Sequence, residues 1–339
     1  MVDDAHFLGS GNVRLHVEDI FGNYSSMFTI SPEQKDKLLT DGFVSLAGAV
    51  PPDLIERWRK LADKFQSAAL EAHNKSERSH GACVIEDPVG PRLMRQDDVL
   101  GLEPEATLDT LACPGMIAVA RDLCGRSTVP LQMDLLYKHQ HPHPVILWHQ
   151  GAPHPRGYPY LNVGIYLDDA DNGDGCLKYV PGTQHELQDI CGLAEEHGWD
   201  IPGAVEQPAK AGDILVQDMM VLHGSAPKWS PGARRTIYIE LRPVAGILES
   251  GRQSEHWAEL RKRWMGLVLR RTDAGEWPEP WRNDYPSDLV GDDQEIASIL
   301  AHWESPIPAV YCPRNIETDD YPVPAANTAS PNHTFETSD

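Results

Sequence analysis

The sequence predicts a mainly β fold with flanking helices, a double-sheet barrel or jelly roll carrying helices on one side. Three observations predict it. Short apolar runs crowd the middle of the chain, between residues 129 and 241, and Gly, Pro and Asp turns separate them. One run alternates cleanly, with Leu161, Val163, Ile165 and Leu167 on one face and Asn162, Gly164 and Tyr166 on the other. Helical periodicity lies outside this block, and helices followed by many strands is the order of sheets with helices packed against them.

The elements follow in chain order. Ser31 before Pro32 is a helix start, an N-cap followed by a first-turn proline. Residues 41–50 read as a turn and a short strand. In the next helix Leu54, Trp58, Leu61 and Phe65 recur three and four apart, one buried stripe. A further helix runs from Pro114 to Cys124 and stops at Gly125. Strands follow at 129–138, 145–149 and 160–169, and then in the runs CLKYVPG, DILVQD, MVLHG and RTIYIEL. Residues 254–271 turn helical again, with Trp257, Leu260, Trp264 and Leu267 on one face. Arg261, Lys262, Arg263, Arg270 and Arg271 lie on the other, as a solvated surface or as a cationic rim for an anionic substrate. The reading is one domain over 1–311, with a core at 31–243, a helical extension at 244–311 and a flexible tail at 312–339.

Composition sets outer limits. The 339 residues are 41% hydrophobic and 24% charged, with a formal charge of −22. Such acidity argues against nucleic-acid polymers and anionic membranes as partners, but a small anion needs only a few local cations. No apolar run reaches the roughly 18 residues of a membrane span. The acidic start MVDDAHFLGSG is not a signal peptide. Six scattered cysteines without a CxxC pair read as reduced thiols in a cytoplasmic protein. The sequence carries no signal of oligomeric state.

The chemistry concentrates in two segments. HQHPHPVILWHQGAPH holds His139, His141, His143, His149 and His154. The first three, among prolines, read as a solvated loop. His149 ends an apolar strand, so its ring enters the sandwich as a hydrogen-bonded core residue or as a metal ligand. Downstream, one strand delivers His223 and the return strand opens with Arg234 and Arg235. Alternation sends one arginine inward, where a guanidinium needs an anion. A bidentate arginine near a histidine suits a dicarboxylate co-substrate.

The landmarks LLTDGFVSLAGAVPPDLIERW, LQMDLLYK, WHQG, YLDDADNGDGCLKYVPGTQHE and HGSAPKWSPGARRTIYIEL together resemble the phytanoyl-CoA dioxygenase family of iron(II)- and 2-oxoglutarate-dependent oxygenases. The resemblance covers about residues 31–243 and implies a double-stranded β-helix. It implies His149 and His223 as iron ligands and Arg234, with Arg235 as the alternative, as the grip on the far carboxylate of 2-oxoglutarate. Ser225, Gln132 and Arg95 fall at positions implied to contact the co-substrate.

Where the family motif has an aspartate as the third iron ligand, this chain has Gly151. An open carboxylate position leaves one coordination site and one negative charge to replace, and His-x-Gly resembles the aliphatic halogenases of this superfamily, in which chloride fills the gap. The resemblance then implies Fe(II), 2-oxoglutarate, chloride and O2 as cofactors and chlorine transfer to an unactivated carbon. The alternatives are a hydroxylase with water in the gap, a non-catalytic binding relative, or a carboxylate supplied by Asp168 or Asp169. For the small-molecule substrate, a purine deoxynucleoside monophosphate in antibiotic biosynthesis ranks before another free metabolite.

Overall fold

The computed structural model describes residues 27–273 and 275–312. Helix α1 (Pro32–Asp41) starts in a full capping box: the Ser31 hydroxyl accepts from the Gln34 amide while the Gln34 side chain accepts from the Ser31 amide. It ends at Gly42 in the left-handed region (φ +87°), which leads into β1 (Phe43–Leu46). Helix α2 (Pro52–Asn74) buries Ile55, Trp58, Ala62, Phe65 and Ala69, a stripe rotated slightly from the one expected.

A hairpin of β2 (Ala82–Asp87) and β3 (Gly90–Gln96) follows, then α3 (Val99–Leu102), α4 (Pro104–Ala112) and α5 (Pro114–Ala118), which runs on as a π-turn segment to Cys124. The strand block holds β4 (Thr128–His139), β5 (Ile146–Gln150), β6 (Leu161–Tyr166) and β7 (Leu177–Val180). After α6 (Ile190–His197) come β8 (Val205–Gln207), β9 (Ile214–Asp218), β10 (Leu222–Ser225) and β11 (Ala233–Pro243). Helices α7 (Val244–Ser250), α8 (Glu255–Arg271), α9 (Glu279–Arg282) and α10 (Asp292–Leu300) and a short β12 (Val310–Tyr311) close the described chain.

The strands make two sheets. The major one has the order β1-β9-β6-β11-β4-β3-β2, the minor one β12-β5-β10-β7-β8. All the pairings between named strands are antiparallel. This is the double-sheet architecture the sequence predicts.

Alternation along β4 and β11 decides which side chains enter the site. Val129, Leu131, Met133, Leu135 and Tyr137 join Ile237, Ile239 and Leu241 in the core cluster shared with α2, α4, α5 and α8. Gln132, Asp134, Leu136, Lys138, Arg234, Thr236, Tyr238 and Glu240 face the cavity between the sheets. The helices therefore seal one face of the major sheet, and the other face is free to carry polar groups.

Three expectations change. His139, His141 and His143 are not a solvated loop: the His139 ring donates to the Leu93 carbonyl (2.7 Å), His141 packs on Trp229, and the buried His143 sits 2.8 Å from the Asp87 carboxylate. The β2–β3 hairpin, which supplies Leu93 and Asp87, is half-buried and without alternation. Cys191 and Cys312 form a disulfide across 121 residues, whereas Cys83, Cys113, Cys124 and Cys176 are free. The spacing of these two cysteines carries no trace of the docking of α6 beside β5. Cys312 is accordingly tied down, and the rest of the expected tail, 313–339, lies outside the described residues. No helix among the described residues is long and apolar enough to cross a membrane.

Candidate active site

The minor sheet builds the centre of the cavity. β5 and β10 run antiparallel with His149 directly opposite His223, and the row continues to Tyr179 on β7 and Tyr311 on β12. Directly opposed residues share a sheet face, so the four rings form one file. The imidazole centroids are 4.0 Å apart, Tyr311 stacks on His149 at 4.5 Å, and Tyr179 lies 5.8 Å from His223.

Both imidazoles are prepared in the same way. The Nδ1 of His149 meets the Leu147 carbonyl and that of His223 the Val221 carbonyl, each at 2.8 Å. Nδ1 must be the donor to a carbonyl, so the neutral ring keeps an unprotonated Nε2, the form that binds metals. Burial pushes His149 down to about 4. Burial and then the neighbouring His149 hold His223 well below its ordinary value. The Nε2 of His223 accepts from the Gln217 amide at 3.0 Å, and the Gln217 carbonyl accepts from the Tyr179 hydroxyl. Two neutral, buried, pre-oriented imidazoles fit a divalent transition metal.

Gln150, between His149 and Gly151, explains the glutamine of the WHQ motif. Its amide donates to the carbonyls of Met220, Thr183 and Glu186, and its oxygen accepts from the Gln188 amide. It ties the segment after β7 to the strand that carries the first histidine.

The cationic end of the cavity lies on the major sheet. Arg234 pairs with Lys138 across β11 and β4, and both are buried. Arg234 donates to the Gly175 carbonyl and leaves its Nε without a partner. Lys138 donates to the carbonyl and hydroxyl of Ser225 (2.9 and 2.6 Å); burial first, then Arg234, hold it well below the usual lysine value. Gly175 sits at φ +74°, and a Cβ there would stand 2.8 Å from the Lys138 side chain. The glycine of the NGDGCL motif is thus demanded by backbone shape and by the lysine. A buried guanidinium with an unused nitrogen, beside the Lys138 amine, suits a carboxylate.

The structure sorts the remaining predicted residues. Arg235 points to the helix side, in a two-pronged pair with Asp168 (2.8 and 2.9 Å) and a contact to Asp63, so it is removed as an alternative to Arg234. Asp168 is engaged there, and Asp169 pairs with Lys210, so neither supplies a carboxylate to the histidines. Ser225 spends its hydroxyl between Lys138 and the Gly175 carbonyl; it holds the lysine. Gln132 stands six residues before Lys138 on β4, about 20 Å away along the strand, and donates to Glu240. That puts it at the far end of the cavity from Arg234. Arg95 lines the cavity in an ion pair with Asp97.

Gly151 has a close backbone neighbour. It lines the cavity beside the histidines, but the place a Cβ would take is filled. That point is 2.3 Å from the Met219 carbonyl oxygen, to which the Gly151 amide donates. Close backbone approach accounts for the glycine here. Four site residues were not singled out from sequence: Lys138, Tyr179, Gln217 and Tyr311. A lysine at an even, inward position of the apolar run LLYKH was the one available signal.

The main cavity is about 380 Å³. Residues 38–236 match the family model described as phytanoyl-CoA dioxygenase. No curated protein sequence matches significantly. Among solved structures, AviO1 from Streptomyces viridochromogenes Tue57 is similar at 27% identity and a TM-score of 0.53, over 65% of this chain and 98% of that one. EctD from S. alaskensis, solved with bound Fe, is similar at 22% identity and a TM-score of 0.52, over 64% and 78%. HygX from Streptomyces hygroscopicus, solved with nickel and 2-oxoglutarate, is similar at 17% identity and a TM-score of 0.50, over 63% and 88%. The last two likenesses speak for the double-stranded β-helix alone. With more than half of the chain inside the family model, this protein belongs to the phytanoyl-CoA dioxygenase family of iron- and 2-oxoglutarate-dependent oxygenases.

Proposed function

We propose that the protein is an iron(II)- and 2-oxoglutarate-dependent halogenase that chlorinates an unactivated aliphatic carbon of a free small molecule. A purine deoxynucleoside monophosphate in natural-product biosynthesis is the first substrate class to try. One observation carries the reading: His149 and His223 face each other without a carboxylate beside them. Among the described residues no group of three or more His, Cys, Asp or Glu side chains could hold a metal. A two-histidine site leaves one more position, and one more negative charge, for a halide than the usual triad does.

In this proposal the Nε2 atoms of His149 and His223 hold the metal, and Gln217 gives up its bond to His223 when metal arrives. Iron with 2-oxoglutarate and chloride supplies oxygen activation, hydrogen-atom removal and the chlorine. The chain supplies position and dryness. Arg234 grips the far carboxylate of 2-oxoglutarate, and Lys138 adds a second buried donor. Tyr311 and Tyr179 flank the imidazoles and keep water from them. The domain runs as one unit through the helical extension 244–311.

Hydroxylation is the second reading, and the Met219 carbonyl favours it: if Gly151 exists to admit that carbonyl, its presence says less about halide. Product mass decides between them. Protein loaded with iron under anaerobic conditions is given 2-oxoglutarate, candidate nucleotides and amino acids, and then air, with and without chloride. Hydrogen replaced by chlorine, only when chloride is present, is the expected result; oxygen insertion regardless of chloride would sink the halogenase.

Arg234→Ala tests the co-substrate grip. Hydrogen bonds to charged groups contribute about 1.5–3 kcal/mol each, so losing a forked pair should weaken 2-oxoglutarate binding on the order of 100-fold. Calorimetry on the metal-loaded protein measures it, and an unchanged Kd would take the role away from Arg234.

A further inference from the structure

Beside the main cavity lies a second chamber of about 260 Å³, between the far end of β4 and β11 and the helix α8. Arg95, Gln132, Asp134 and Glu240 line both spaces, so the two adjoin across these side chains. Its wall of α8 lies beyond residue 236, where the family match ends.

The chamber holds an excess of unpaired donors. Arg261 is 7% exposed, and its Nε and Nη1 have no hydrogen-bond partner. Its guanidinium lies 4.4 Å from the Trp257 ring and 5.6 Å from the Trp264 ring. Both indole N–H groups are buried without an acceptor, and so are Nε and Nη1 of Arg242, 1% exposed and stacked on Tyr160. Buried donors without acceptors are costly.

The other cations of α8 are spoken for. Lys262 pairs with Glu259, Arg263 with Glu295, and Arg271 with Glu105, Asp109 and Asp292, while Arg270 donates to the Leu289 carbonyl. The basic rim read from sequence therefore reduces to one inward residue, Arg261.

The carboxylates of the chamber are engaged too. Asp97 pairs with Arg95, Glu240 with Arg242, and Glu304 with Ser254 and His302. Asp98 faces His80 at 3.5 Å, and it and Glu304 act on Arg261 at longer range. Burial, then Asp97, raises Asp134 to about 7.

We propose that this chamber is the anion-binding half of the substrate site, in which Arg261, Trp257 and Trp264 hold a phosphate or carboxylate group of the small molecule. An oxygen-rich anion supplies the acceptors that Arg261, Trp257 and Trp264 lack, and Arg261 is the specificity-determining residue. The inference rests on the proposed function only for where the rest of the substrate goes, toward His149 and His223.

The test uses metal-free, full-length protein and needs no turnover. Inorganic phosphate and acetate are titrated separately while the indole N–H resonances of Trp257 and Trp264, assigned with Trp257→Phe and Trp264→Phe, are followed. Saturable movement of both signals by phosphate assigns the site to phosphate-bearing substrates; movement by acetate assigns it to carboxylates. Arg261→Met, which keeps the stack and removes a buried charge, should weaken binding about tenfold or more, the worth of one hydrogen bond to a charged group. Arg261→Lys should recover part of the loss. If neither anion moves the indoles, or if Arg261→Met binds as the parent does, Arg261 is a stacking element and the proposal is overturned. Since no iron is present, a failure of iron or 2-oxoglutarate binding in separate experiments would touch the halogenase reading alone.

Discussion

Replacing His223 with alanine is expected to strip the protein of iron(II) and abolish turnover. The described residues offer only two imidazoles to a metal, so the change removes half of the protein's donor set. Groups that merely orient a ligand typically cost 10–100-fold in metal affinity when mutated, and a ligand itself should cost more. The fold should survive. The ring is buried, but in the apo state its anchors are one backbone carbonyl and one glutamine amide, whose loss is worth about 1–3 kcal/mol. Metal retained after anaerobic desalting, with circular dichroism as the control for folding, gives the answer. His149→Ala should behave the same way. A variant that keeps stoichiometric iron at the parental affinity would end the metal role of this pair.

Gly151→Asp carries the second large effect, and the structure makes it a damaging change. A Cβ at 151 stands 2.3 Å from a main-chain oxygen that cannot rotate away. Forcing atoms into a packed site costs about 1–3 kcal/mol, and a carboxylate buried against a carbonyl adds a desolvation penalty. We expect the melting temperature to fall by several degrees, halogenation to stop, and no efficient hydroxylation to take its place. Thermal unfolding and product mass together check this. A variant as stable as the parent that hydroxylates its substrate would show that the Met219 segment yields and that the gap is aspartate-shaped after all.

Much of this architecture is written in local order. The alternating run at 160–167, the strand ending in His149 and the strand delivering His223 each depend on side chains two apart, a period set by backbone geometry. Helices α2 and α8 are legible for the same reason, with a period of 3.6. The resemblance carried by WHQ, NGDGCL and the arginine eleven residues after His223 located the histidine pair and Arg234, because those motifs answer to fixed backbone needs such as the positive φ of Gly175.

Other features have no local signature. Nothing in GPRLMRQ marks a strand, since its neighbours rather than its period bury it. His143 reads as solvated until the hairpin brings Asp87 to it. Lys138 becomes buried only when β11 places Arg234 opposite, and Cys191 meets Cys312 only once β12 has joined β5.

By itself, then, the sequence determined the double-sheet fold, the family, and which strand faces carry the two histidines and one of two arginines. The tertiary structure alone decided which arginine faces inward, that a Cβ at Gly151 would meet the Met219 carbonyl, and that Arg261 is the unpaired cation of its helix. Periodicity and capping are properties of neighbours along the chain. Cross-strand register, close backbone approach and the pairing of charges are set by residues far apart in sequence, and only closure of the two sheets brings them together.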